Sequence, residues 1–94
     1  MKAKMYNYNN WIKETDPIIL KNIFDEILTK CNFNILKYVD YHFKPFGFTS
    51  LYLLSESHFA IHTFPEEGKS YIELSSCIKE PFDKFNNLIA ATLV

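Results

Sequence analysis

The chain has 94 residues, 48% hydrophobic and 22% charged, and ten basic against eleven acidic side chains leave a net charge of −1. That length makes one domain, residues 1–94, which hides only roughly 60 to 65% of its unfolded surface and therefore has a thin core. Balanced, interspersed charge argues against nucleic acid or an anionic membrane surface as a partner. With no run of about 18 apolar residues and no leader-like apolar stretch, the expectation is a cytoplasmic protein that does not enter a membrane.

Aromatic residues are abundant, with nine Phe, six Tyr and one Trp. Such a surplus leaves aromatic surface for an interface or a flat ligand. Cys31 and Cys77 share no metal-binding or redox spacing and read as free thiols. Two glycines in the whole chain leave no glycine-rich phosphate loop.

In chain order, Met5 to Ile12 reads as an edge strand weakened by its asparagines. Asp16 then caps a helix whose first turn takes Pro17, and Ile19, Leu20, Ile23, Phe24, Ile27 and Leu28 recur at helical spacing to give it one apolar face. Asn32 is a stop signal. Ile35 to Phe43 follows as a strand with Ile35, Val39, Tyr41 and Phe43 on one side, closed by the turn Lys44-Pro45-Phe46-Gly47.

Phe48 to Leu54, His58 to Phe64 and Ser70 to Cys77 are three further strands. They are separated by Ser55-Glu56-Ser57 and by Pro65 to Lys69, spacings that suit antiparallel hairpins. Pro81 opens a second helix with Phe82, Phe85, Leu88, Ile89 and Thr92 on one stripe. The sum is an α+β two-layer sandwich, an antiparallel sheet with both helices packed on one face.

The stretch LSESHFAIHTFPE, Leu54 to Glu66, concentrates reactive side chains. His58 and His62 stand four apart, but on a strand that separation spans about 13 Å, too far for one ion without a sharp bend. No metal site is expected. Taken singly, Cys77 reads as a small buried hydrophobe, Ser57 as a turn residue, and Glu66 and Glu67 as turn charges beside Pro65.

Taken together, the residues stand in a specific order. The run HFKPFGFTSLYLLSESHFAIHTFPEEGKSYIELSSC, His42 to Cys77, resembles the prokaryotic pyruvoyl-dependent S-adenosylmethionine decarboxylase proenzymes, in the P-x-G turn, the ESH cleavage site, the IHT-x-PE strand and turn, and the cysteine. The resemblance covers about three quarters of the chain. It implies a short variant, because the family usually adds a strand after the second helix.

The resemblance implies self-cleavage between Glu56 and Ser57, giving a β chain 1–56 and an α chain 57–94 headed by a pyruvoyl group made from Ser57. That group would take the amine of S-adenosylmethionine as a Schiff base and release carbon dioxide. The product serves spermidine synthesis. By the same resemblance His62 is the processing base, Thr49 supports processing where the family has serine, and Cys77 returns a proton to the α carbon; a free thiol keeps its proton at neutral pH, as a donor needs.

Phe43 and Phe64, the latter in place of the usual Trp, would sandwich the adenine, and Glu66 would hold the ribose. A homodimer with the active site near the subunit interface is implied as well. The same pyruvoyl chemistry on ornithine or arginine, and a non-cleaving homologue that binds or regulates, stay open. Because Ser57 and His62 have opposite parity on an extended chain, Ser57 is expected in the tight turn between two strands, folded back toward the sheet.

Overall fold

The computed structural model describes residues 3–92. Asp16 Oδ1 accepts the backbone N–H groups of Ile18 and Ile19 at 2.9 and 3.1 Å, two of the donors that a helix start leaves without partners. Helix α1 (Pro17–Lys30) buries Leu20, Phe24, Ile27 and Leu28. Asn32 then turns left-handed with φ 70°, and the Phe33 N–H returns to the Leu28 carbonyl at 3.0 Å, which ends the helix as its sequence predicts.

Five strands follow the expected order: β1 (Tyr6–Ile12), β2 (Ile35–His42), β3 (Phe48–Leu54), β4 (Ser57–Phe64) and β5 (Lys69–Ser76). They form one sheet in the order β1-β5-β4-β3-β2, antiparallel at every pairing. The edge strands β1 and β2 therefore run parallel to each other at opposite sides of the sheet, and α1 is the crossover that joins them, while β2 to β5 follow one another as antiparallel neighbours. Helix α2 (Lys79–Thr92) begins two residues ahead of the predicted Pro81. Proline is tolerated there because a first-turn N–H has no intrahelical partner to lose.

The core lies between the helices and one face of the sheet. Phe59 of β4 is its centre, with ring centroids 4.8 Å from Phe24 of α1 and 5.6 Å from Phe85 of α2. Period-two alternation sends Ser57, Phe59, Ile61 and Thr63 toward the helices, and His58, Ala60, His62 and Phe64 to the opposite, open face. This is the α+β two-layer sandwich that the sequence patterning predicts.

One detail of β2 differs. A register shift between Ile35 and Lys37 places Ile35 opposite Leu54, while Lys37, Val39 and Tyr41 stand opposite Leu53, Leu51 and Thr49. The bulge adds one residue to β2 and so separates Ile35 from the face that Val39 and Tyr41 share.

Candidate active site

The β3–β4 hairpin turns on two residues, Ser55 and Glu56. Glu56 sits at φ 57°, a left-handed conformation that glycine or asparagine adopts at lower cost. Ser57 is not inside the turn as predicted. It is the first residue of β4, opposite Leu54 on one side and Ser76 on the other. A two-residue loop suffices to reverse the chain, so the ladder closes one residue earlier than a three-residue turn would allow.

The Ser57 side chain is 7% exposed and its Oγ donates to Ser76 Oγ at 2.7 Å. Ser76 Oγ in turn accepts the Ile78 N–H at 3.0 Å, so the two hydroxyls form one buried chain. Sequence reasoning misses Ser76. The only hint is its place before Cys77, and its partner lies 19 residues away.

Beyond Ser76 the ladder carries Cys77 alongside Glu56. The Glu56 carbonyl oxygen accepts the Cys77 N–H at 3.3 Å, and the Cys77 thiol reaches the same oxygen at 3.2 Å. The thiol also lies 3.7 Å from Glu56 Oε1. Cys77 is exposed, whereas Cys31 is buried, and burial pushes the Cys31 thiol up from its ordinary range. The reading of Cys77 as a small buried hydrophobe therefore does not hold, and Cys31 is the buried thiol of the two.

At the far end of the sheet a second group assembles on the open face. Tyr41, Thr49, His62, Tyr71 and Trp11 stand opposite one another in turn across all five strands. Thr49 Oγ1 lies 3.0 Å from His62 Nδ1, and the imidazole stacks on Tyr71 with centroids 6.3 Å apart. Trp11 packs against Phe64 at 5.8 Å and Tyr71 at 5.3 Å. Nothing in the asparagine-rich β1 sequence marks Trp11 as part of this cluster.

Above the row is a concavity of about 230 Å³ lined by Phe43, Gly47, Thr49, His62, Phe64 and Glu66. It therefore gathers all the predicted substrate-binding residues together with the predicted base. Gly47, at φ 108°, lets the β2–β3 turn pass beneath Phe43, whose Cβ would lie 3.9 Å from any side chain at this position.

The predicted site is thus divided. Glu56, Ser57 and Cys77 occupy one end of the sheet; Phe43, Thr49, His62, Phe64 and Glu66 occupy the other. Five residues of extended β4 separate Ser57 from His62 by about 17 Å, and their side chains leave opposite faces. On the open face between them runs an apolar groove of about 420 Å³ whose walls include Val39, Leu51, Leu53 and His58. Among the described residues no group of three or more His, Cys, Asp or Glu could hold a metal ion, and no helix is long and apolar enough to cross a membrane.

Comparison with known proteins gives a consistent set of relatives. A family model described as S-adenosylmethionine decarboxylase matches residues 4–93. The S-adenosylmethionine decarboxylase proenzyme of Symbiobacterium thermophilum is 37% identical over 65 residues, covering 69% of this chain and 49% of that protein. The proenzyme of Brevibacillus brevis is 39% identical over 62 residues, 66% of this chain and 47% of the relative. The chain spans about half the length of the curated relatives it matches. The crystal structure of the adenosylmethionine decarboxylase from Aquifex aeolicus superposes with a TM-score of 0.74 over 96% of this chain and 81% of the other, at 19% identity, a likeness of fold.

Proposed function

The chain belongs to the S-adenosylmethionine decarboxylase family, and from that premise we propose that it cleaves itself between Glu56 and Ser57 and then decarboxylates S-adenosylmethionine. The observation that carries the reading is the Glu56 carbonyl, held by the Cys77 N–H and approached by the Cys77 thiol. Attack by the Ser57 hydroxyl on that carbonyl puts negative charge on its oxygen. Donors already fixed there by the β4–β5 ladder stabilise the charge without reorganising. Left-handed Glu56 adds local strain at the bond to be broken.

A pyruvoyl group at position 57 supplies a ketone conjugated to an amide, an electron sink for loss of carbon dioxide from an α-amino acid. The residues at hand suit it: a serine follows a polarised carbonyl, and an exposed thiol stands beside that carbonyl. Cys77 gives its proton to the substrate α carbon. Phe43 and Phe64 offer stacking faces for adenine, with Glu66 at the rim for the ribose. The product is decarboxylated S-adenosylmethionine, an aminopropyl donor for spermidine.

The division of the site points to a homodimer. In one protomer His62 is about 17 Å from Ser57 along β4, too far for proton transfer. A two-fold pairing of open faces in antiparallel sense lays the far end of one sheet over the cleavage end of the other. The partner subunit's His62 then faces the Glu56–Ser57 peptide from the open side, and serves as base once the first residue of β4 turns its hydroxyl out from Ser76 on the helix side. The open face suits such a partner, because Val39, Tyr41, Leu51 and Leu53 are exposed on it by 48% or more.

Intact-mass measurement on purified protein tests the reading. Two fragments, 1–56 and 57–94, are expected, the second reacting with hydroxylamine as a ketone. One unsplit mass after prolonged incubation, with no such reaction, overturns it. Carbon dioxide release from S-adenosylmethionine, ornithine and arginine then separates the substrates. A second reading, a non-cleaving binding protein, is favoured by the burial of Ser57 Oγ against Ser76; it requires the unsplit mass together with ligand binding without turnover.

A further inference from the structure

Glu56 is an unfavourable residue for its position. At φ 57°, the second residue of a two-residue hairpin loop is a place for glycine or asparagine. Neither could present a carboxylate 3.7 Å from the Cys77 thiol, as Glu56 Oε1 does. The same thiol lies 3.2 Å from the Glu56 carbonyl oxygen. One residue therefore meets the thiol with two oxygens, and only one of them is charged in the uncleaved chain.

Cleavage changes that count. When Ser57 Oγ displaces the Ser57 nitrogen at the Glu56 carbonyl and the resulting ester eliminates, the Cβ–Oγ bond breaks. Glu56 keeps its own carbonyl oxygen and gains the serine oxygen as a terminal carboxylate. The nitrogen leaves as ammonia after one water adds to residue 57. Glu56 then carries two negative groups, one of them made from the oxygen that the thiol already touches.

We propose that Glu56 is the positioning residue of the Cys77 thiol, its side-chain carboxylate holding the thiol proton before cleavage and its new terminal carboxylate strengthening that hold afterwards. The inference rests on the self-cleavage reading only for its second half. A negative charge within about 4–6 Å disfavours a thiolate. Self-cleavage thereby readies the proton donor by the same step that makes the electron sink.

Other charged groups sit on the elements around Cys77. His58 shares the open face one pair along, opposite Ser75, and Glu73 lies four residues back on β5. At the start of α2, Lys79 is paired with Asp83 at 2.7 Å and Glu80 with Lys84 at 3.8 Å. Lys4, ahead of β1, lies over the Tyr6 ring.

The test is the pH profile of Cys77 alkylation by iodoacetamide, read by peptide mass so that Cys31 is counted separately. Three full-length proteins are compared: the cleaved protein, Ser57→Ala, which cannot cleave, and Ser57→Ala/Glu56→Gln. Half-maximal alkylation is expected at the highest pH in the cleaved protein and the lowest in the double variant, each step about threefold or more in thiolate fraction at fixed pH. Coincident profiles for all three overturn the proposal. If the native protein stays unsplit, the self-cleavage reading falls, while the two Ser57→Ala proteins still decide whether Glu56 holds the thiol proton.

Discussion

Thr49 Oγ1 and His62 Nδ1 face each other at 3.0 Å across the β3–β4 ladder, directly opposite in register. The base role requires the tautomer in which Nδ1–H donates to the hydroxyl and Nε2 keeps its lone pair on the open face. Thr49→Val keeps the branched shape and removes the hydroxyl. The loss of one hydrogen bond, about 1 kcal/mol, is expected to slow self-cleavage roughly fivefold. A time course of fragment formation by mass spectrometry reads the effect, and Thr49→Ser should restore the native half-time.

The proposed dimer makes a separate prediction. Leu53 is 52% exposed and Leu51 48% exposed on the open face, at the groove between the two halves of the site. Leu53→Asp would place a charge in the centre of the sheet-to-sheet contact, where desolvation without a partner is costly. Light scattering is expected to show a dimer for the native protein and a monomer for the variant, with circular dichroism unchanged. Cleavage should stop as well, because Ser57 then loses the partner subunit's His62. A variant that is monomeric and still cleaves would place the base elsewhere.

Much of this architecture is legible in the sequence, for identifiable reasons. Asp16-Pro17 and the apolar spacing from Leu20 to Leu28 define α1 by local chemistry alone, and the alternation from His58 to Phe64 fixes which side chains share a face. The parity of Ser57 and His62 is equally readable. Its consequence is not: whether a turn folds Ser57 back or a second subunit supplies the base depends on loop closure and on partners outside the local pattern. The Ile35 bulge, the Ser57–Ser76 contact and the Trp11–Phe64 contact are likewise products of strand pairing between distant segments.

Ser76 provides a third prediction. Its hydroxyl accepts from Ser57 Oγ at 2.7 Å in a buried setting. Ser76→Ala leaves the Ser57 hydroxyl without that partner, which is expected to lower stability by about 1–3 kcal/mol. Denaturant unfolding measures it. Cleavage responds in the opposite sense if this bond holds the nucleophile away from the Glu56 carbonyl: the variant should then cleave faster than the native chain despite being less stable. Slower cleavage would assign Ser76 the task of aiming the hydroxyl.

The last prediction concerns alkali. Tyr52 is 1% exposed and its hydroxyl donates to Asp25 Oδ1 at 2.8 Å. Burial first, and then the bond and charge of Asp25, push the Tyr52 phenol well above its ordinary range. Tyr38, beside it with centroids 4.7 Å apart, is pushed up to about 12, again by burial first and then by its bond to Asp40. Both phenols are neutral in the folded state at pH values where the unfolded chain, with ordinary phenols near 10, has begun to ionise. Stability is therefore fully present below about pH 10 and falls as pH rises toward 12 and beyond, because the unfolded state releases protons that the folded state retains. Melting temperature followed by circular dichroism should drop across that interval. Tyr52→Phe removes one of the two ionisations and leaves Asp25 with its Lys21 pair at 2.6 Å, so its melting temperature should start lower at neutral pH and decline less steeply in alkali. Parallel declines in the two proteins would show that Tyr52 is not a source of the alkaline loss.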